Sequence, residues 1–220
     1  MDKTPELTLI APTEPHTATV IFVHGLGQNT YTWRAMILEG LVPSLPQIRW
    51  VMPQASKKAV TYKKAFEPSW FNIKTLPPGT DEFDETTIAE SIGIIENLIL
   101  TEIYGGINPR RIFLVGFSQG AALSLMVALS TLHDLGGVAS LSGWIPPKAR
   151  EQTIASPNLP ILWCHGLADT LIPIELAEDA IKYLEQNTKG KVELKKYAGL
   201  EHTINDSVVE DLLAWLKLLV

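Results

Sequence analysis

The chain has 220 residues, 46% of them hydrophobic and 19% charged, the proportions of an ordinary core-forming globular protein. That length supports one substantial core and is short for two, so a single domain over residues 1–220 is expected. A net charge of −6, with no basic run longer than the pairs Lys57-Lys58 and Lys63-Lys64, argues against a nucleic-acid surface and gives no pull toward anionic lipid.

The opening residues, Met1-Asp-Lys-Thr-Pro-Glu, lack the basic and apolar regions of a secretory signal. No apolar run approaches the length of a membrane span and no lipidation motif is present. No stable membrane anchor is therefore expected, and the cytoplasm is the expected location. The next signal is a weak edge strand at Leu7–Ala11, followed by a strand at Thr19–Val23 and a helix near Thr30–Leu41. A strand at Arg49–Met52 follows. Residues 53–83 then resist assignment: Pro68, Pro77, Pro78 and Gly79 alternate with Phe66, Trp70, Phe71, Ile73 and Leu76. A long irregular segment of this apolar content suits a wall or flap over a binding site, the alternative being an inert Ω-loop packed on the surface.

Beyond it come a helix near Asp84–Tyr104, a strand at Arg111–Gly116 and a helix at Gln119–Leu132. Strands at Val138–Ser142 and Pro160–His165, a helix at Ile174–Asn187 and a strand at Glu193–Tyr197 follow. The last helix, near Ser207–Leu218, opens on Ser207-Val-Val-Glu210, which fits a capping box. Short β-branched runs alternating with helices predict an α/β fold, a mostly parallel sheet covered on both faces. The single cysteine, Cys164, lies in Ile161-Leu-Trp-Cys164; it excludes an intramolecular disulfide and is expected to be a small core residue.

The most informative motif is Gly116-Phe117-Ser118-Gln119-Gly120, set between a strand and a helix. A serine on such a tight turn projects its hydroxyl from the sheet end, and the flanking glycines relieve collisions there. A serine hydroxyl needs a base to take its proton and an acid to orient that base. On this kind of sheet the chain order is serine, acid, histidine. His16 and His24 precede Ser118, and His133 ends the following helix. His165 closes a strand, and its acid would have to be Asp134 or Glu151. His202, in a loop before the last helix, is best placed as base. Asp169, just after the strand ending Cys164-His165-Gly166, is the preferred acid. Asp206 is a competitor through a local turn, and Glu201 adjoins the histidine in sequence without facing it. Two N–H donors must meet the oxyanion. Gln119 at the helix start offers one, and Leu26 in His24-Gly25-Leu26-Gly27, after a strand, offers the other. No metal-ligand spacing occurs, so no metal or cofactor is expected.

The chain resembles the acyl-protein thioesterase and lysophospholipase–carboxylesterase family of small α/β-hydrolases. The likeness rests on F-V-H-G-L-G at 22–27 with Trp33 beyond it, S-W-F-N at 69–72 and N-P-R-R-I at 108–112. It continues through G-F-S-Q-G-A-A-L-S-L at 116–125, L-S-G-W-I-P at 141–146, C-H-G-x-x-D-x-x-I-P at 164–173 and G-x-x-H at 199–202. The resemblance implies an α/β-hydrolase fold without a separate lid domain. It implies a triad at Ser118, Asp169 and His202, with oxyanion donors at the Leu26 and Gln119 backbones. It also implies an acyl groove lined by Leu26, Trp70, Ile73, Leu76 and Leu171.

Three carboxylates common in that family are absent here: Gln28 follows H-G-L-G, Asn72 ends S-W-F-N, and Leu167-Ala168 precede Asp169. Lower negative charge around the site is the expected consequence. The expected activity is hydrolysis of carboxylic esters or thioesters through an acyl-enzyme. The substrate would be an acylated protein, a lipid or a small ester; a broad short-chain carboxylesterase is the alternative, and a non-catalytic ligand-binding protein the remote one. Oligomeric state is open.

Overall fold

A computed structural model describes residues 5–80, 82–151 and 158–220. The fully buried run Ala18-Thr-Val-Ile-Phe-Val23 forms β2, beside β1 (Leu7–Ile10) and β3 (Ile48–Pro53). A hairpin of β4 (Lys57–Val60) and β5 (Ala65–Pro68) stands apart from the main sheet. β6 (Ile112–Phe117), β7 (Gly137–Leu141), β8 (Ile161–Gly166) and β9 (Val192–Tyr197) complete the seven-stranded sheet, in the order β1-β3-β2-β6-β7-β8-β9. Within this sheet, among the described residues, only β1 runs antiparallel to its neighbour and the other pairings are parallel. Such strands read as continuous apolar runs because both faces are covered.

The alternation of side chains along β2 and β6 divides the core in two. Ile21, Val23 and Leu114 meet α2 (Glu85–Tyr104), α3 (Gln119–Ser130) and α4 (Ile174–Asn187) through Ile95, Leu123 and Ala180. Val20, Phe22, Phe113 and Val115 face the other way, onto Leu212 and Trp215 of α5 (Asp206–Leu219) and onto Ile37 and Leu41. α3 is buried from Gln119 through Leu129, which explains its lack of a polar face and fixes it against the sheet centre. No described helix is long and apolar enough to cross a membrane.

Three expected elements differ. The helix expected near Thr30–Leu41 begins only at α1 (Arg34–Met36) and continues as a π-helical turn, Ile37–Leu41. Residues 28–33 are diverted into turns by their own side chains: the Tyr31 N–H donates to Asn29 Oδ1 (2.9 Å) and the Trp33 indole to Gln28 Oε1 (2.8 Å). α5 is capped by Asn205, whose Oδ1 accepts the Val208 N–H (3.1 Å), rather than by Ser207. The segment expected to be irregular holds the β4–β5 hairpin, whose tight connection puts Lys64 at φ 51. Asn72 ties that connection down, accepting the Thr61 N–H (2.8 Å) and donating to the Thr61 hydroxyl (2.9 Å). Cys164 is buried in β8, its sulfur 3.3 Å from the Tyr197 hydroxyl, which donates to Asp211 (2.7 Å). Burial pushes the thiol up to about 12.

Candidate active site

The parallel strands β2, β6, β7 and β8 all end on one edge of the sheet, where an open α/β sheet gathers its chemistry. β6 ends at Phe117 and α3 begins at Gln119, leaving Ser118 alone on the turn with φ 54 and ψ −119. A non-glycine residue there carries strain of about 1–3 kcal/mol, so its surroundings must over-determine it. The Ser118 N–H donates to Leu141 O (2.8 Å), and its carbonyl accepts from Ala121 (3.0 Å) and Ala122 (3.1 Å). The glycines are required by contact. A Cβ on Gly116 would lie 2.3 Å from Gly120 O, and one on Gly120 would lie 2.1 Å from Val23 O.

His202 Nε2 lies 2.8 Å from Ser118 Oγ, and His202 Nδ1 lies 2.6 Å from Asp169 Oδ2. The other Asp169 oxygen accepts the N–H groups of Leu171 (3.0 Å) and Ile172 (2.9 Å). Asp206, the competing acid, is the first residue of α5. Burial, the largest influence on the Asp169 carboxyl, favours its neutral form. The His202 hydrogen bond, the Ile172 N–H and the neighbouring histidines together outweigh it and hold the group below the usual carboxylate range. The loops carrying the pair are joined, since Leu167 N–H donates to Tyr197 O and Ala168 N–H to Leu200 O, both at 2.9 Å. The Phe117 ring packs on the His202 imidazole at a centroid distance of 4.9 Å.

Two further histidines flank this line without joining it. His165 is buried beneath Asp169, with Nε2 2.7 Å from Ile172 O and 3.8 Å from Asp169 Oδ2, and Nδ1 accepting the Trp163 indole N–H at 3.4 Å. His24 Nδ1 lies 2.8 Å from Gly25 O, and its Nε2 accepts the Ala55 N–H at 3.0 Å. Each pattern assigns a neutral imidazole with one ring N–H. Burial lowers both pKa values and outweighs the hydrogen bonds that would favour a charged ring.

The Gly120 contact presses the start of α3 against the carbonyls of Val23 and His24, so the Gln119 N–H and the His24–Gly27 loop are neighbours. Among the described residues, neither the Leu26 N–H nor the Gln119 N–H has a hydrogen-bond acceptor within the chain. Two free donors beside a strained serine are what a developing oxyanion needs.

The residues expected to line a groove separate into two sets. Leu26 and Leu76 are partly buried against the core and Leu171 is 40% exposed. Trp70 (1% exposed) and Ile73 (2%) belong to the core instead, so they lie under the surface rather than on it. The Trp70 indole is turned inward to the His24 carbonyl, at 2.7 Å. The buried Gln119 side chain was also beyond sequence reasoning: it accepts the Trp70 N–H (3.0 Å) and donates to Phe71 O (2.7 Å). Gln28, at the position where the resembled family commonly has a carboxylate, accepts the Gly25 N–H (2.9 Å) and the Trp33 indole N–H through one amide oxygen. Among the described residues, no three His, Cys, Asp or Glu side chains converge as a metal site would.

Comparison with known proteins places the whole chain in one family. The phospholipase/carboxylesterase family matches residues 5–220. Acyl-protein thioesterase 1 of Cryptococcus neoformans is 32% identical over 225 residues, covering 94% of each chain. The crystal structure of Arabidopsis thaliana SOBER1 superposes with a TM-score of 0.85 at 30% identity, covering 91% of this chain and 98% of that one. Zea mays acyl-protein thioesterase 2 gives 0.82 at 27% identity, covering 97% and 98%.

Proposed function

The chain belongs to the phospholipase/carboxylesterase family and is a serine hydrolase of esters or thioesters, and from that premise we propose the residues and the substrate. Ser118 is the nucleophile, His202 the general base and then acid, and Asp169 the group that orients His202. The observation that carries the assignment is the unbroken line of hydrogen bonds from Asp169 to His202 (2.6 Å) to Ser118 (2.8 Å), ending on a strained turn.

In the proposed sequence His202 bears its proton on Nδ1, toward Asp169, leaving Nε2 to receive the Ser118 proton. Oγ forms a bond to the acyl carbon as that proton moves, and the carbonyl electron pair shifts to oxygen. The Leu26 and Gln119 N–H groups receive the oxyanion. The pair returns, the bond to the leaving alcohol or thiol breaks, and His202 protonates it. Water, deprotonated by the same nitrogen, repeats the sequence and frees the acid and Ser118.

The proposed substrate is a long-chain acyl thioester on a protein, with lysophospholipid as a related ester, and the proposed location is the cytoplasm. Support comes from the relatives named acyl-protein thioesterase and from apolar surface on the loop bearing Asp169, where Leu167 is 49% exposed. A short-chain carboxylesterase is the second reading, favoured by the burial of Trp70 and Ile73 away from any surface groove. A fluorophosphonate probe is expected to label the native protein and not Ser118→Ala, whose kcat should fall by roughly 10⁴-fold or more. Undiminished labelling of Ser118→Ala would sink the nucleophile assignment. Acyl esters and thioesters from acetyl to palmitoyl then decide the substrate: a maximum at acetyl or butyryl with no palmitoyl turnover selects the second reading.

A further inference from the structure

We propose that Trp70 is a positioning residue for the oxyanion site, fixing the His24–Leu26 backbone through its indole N–H while the Gln119 side chain fixes Trp70. The proposal rests on the reading of Leu26 and Gln119 as oxyanion donors. Trp70 is held at three polar points. Its N–H donates to Gln119 Oε1 (3.0 Å), its carbonyl accepts from the Ser91 hydroxyl on α2, and its indole N–H donates to His24 O (2.7 Å). The last bond joins Trp70 to the peptide that leads into Gly25 and Leu26.

Other polar groups of that loop are also taken. Gly25 N–H donates to Gln28, Gly25 O accepts from His24 Nδ1, and Gly27 N–H donates to Pro68 O (2.8 Å). The Gly25 and Gly27 amides on either side are used, and the Leu26 N–H between them has no acceptor among the described residues. Gln119 thus acts twice. Its backbone supplies one donor, and its side chain, through Trp70, sets the peptide that presents the other. Both donors hang on one side chain, so their spacing is set by the fold before any substrate arrives.

The test separates position from packing. Trp70→Phe keeps an aromatic ring and removes the N–H; replacing Trp70 with benzothienylalanine keeps the bicyclic shape and removes only the donor. Both are expected to lower kcat on a short ester by about tenfold to a hundredfold, the range for a misplaced catalytic group, with KM changed less than twofold. The affinity of a trifluoromethyl ketone, which forms an oxyanion on Ser118, should fall in the same proportion. Gln119→Met, which loses the hold on the Trp70 N–H, should move the two quantities the same way. An unchanged kcat in the folded benzothienylalanine protein overturns the proposal, as does a kcat loss without loss of inhibitor affinity. Replacing Leu26 by its α-hydroxy acid removes the donor itself. If that leaves kcat intact, the oxyanion reading fails whatever Trp70 does; if it lowers kcat while the Trp70 variants do not, only the positioning proposal fails.

Discussion

Two regions border the candidate site, and they are built to different tolerances. On one side the His24–Gly27 loop, the Ser69–Phe71 segment and the Ser118 turn are packed closely and cross-linked by hydrogen bonds between them. On the other the β4–β5 hairpin pairs as strands only with itself, shows Phe66 at 73% exposure, and is tied to the body through Asn72, a Lys58–Glu90 ion pair and a few backbone bonds. The contrast teaches where the molecule needs exact geometry. Developing charge demands fixed donors, whereas an apolar acyl chain needs only surface, and surface can be held loosely.

The largest test of the tight side is Gly120→Ala. Its methyl would meet the Val23 carbonyl at 2.1 Å, and the backbone has nowhere to move. A loss of at least about 3 kcal/mol in urea unfolding, or failure to accumulate as soluble protein, is expected. Stability within 1 kcal/mol of the parent, by the scale for surface substitutions, would show that the turn has slack after all.

Acid is the next lever, and it acts on the buried histidines that flank the site. His24 and His165 are neutral in the fold with lowered pKa values, while in the unfolded chain they titrate near 6.5. Below that pH the unfolded chain binds protons that the folded one refuses, so stability is intact above 6.5 and falls as pH drops toward the folded values. Each histidine contributes up to about 1.4 kcal/mol per pH unit in that window. Asp169, also lowered, adds a loss only at more acid pH, as its carboxylate takes a proton. Urea melts at pH 7.5, 6.0 and 5.0, with imidazole signals followed by NMR, measure this. Equal stability at all three sinks the argument.

The smallest effect belongs to the hairpin. Asn72→Ala removes the two bonds that hold the turn at Thr61 and should cost about 1 kcal/mol. Turnover of an acetyl ester should stay within twofold, while KM for a long-chain ester rises several-fold. A fall in acetyl kcat would show that the two regions are coupled rather than separate.

This division also tracks what could be read from the chain. The strands of the main sheet were legible because β-branched runs bounded by turn residues announce them, and Ser118, Asp169 and His202 were legible as candidates because each follows a strand. The hairpin was not, since Lys64 occupies the positive-φ position where glycine or asparagine would have given the signal. Trp70 in a proline-broken segment was expected at a surface. Its inward turn depends on a carbonyl 46 residues away, and no local pattern encodes such a partner. Gln119 was legible as a backbone donor at a helix start; its side-chain partners, 48 to 50 residues away, were not.

The burial of Cys164 bears on the acyl thioester proposed as substrate. Such substrates exchange their acyl group with any accessible thiolate, with no catalyst required. The one cysteine of this chain lies in the sheet interior, its proton held up to about 12. On the thioester reading proposed above, the protein offers an acyl group no thiolate of its own as a competing acceptor.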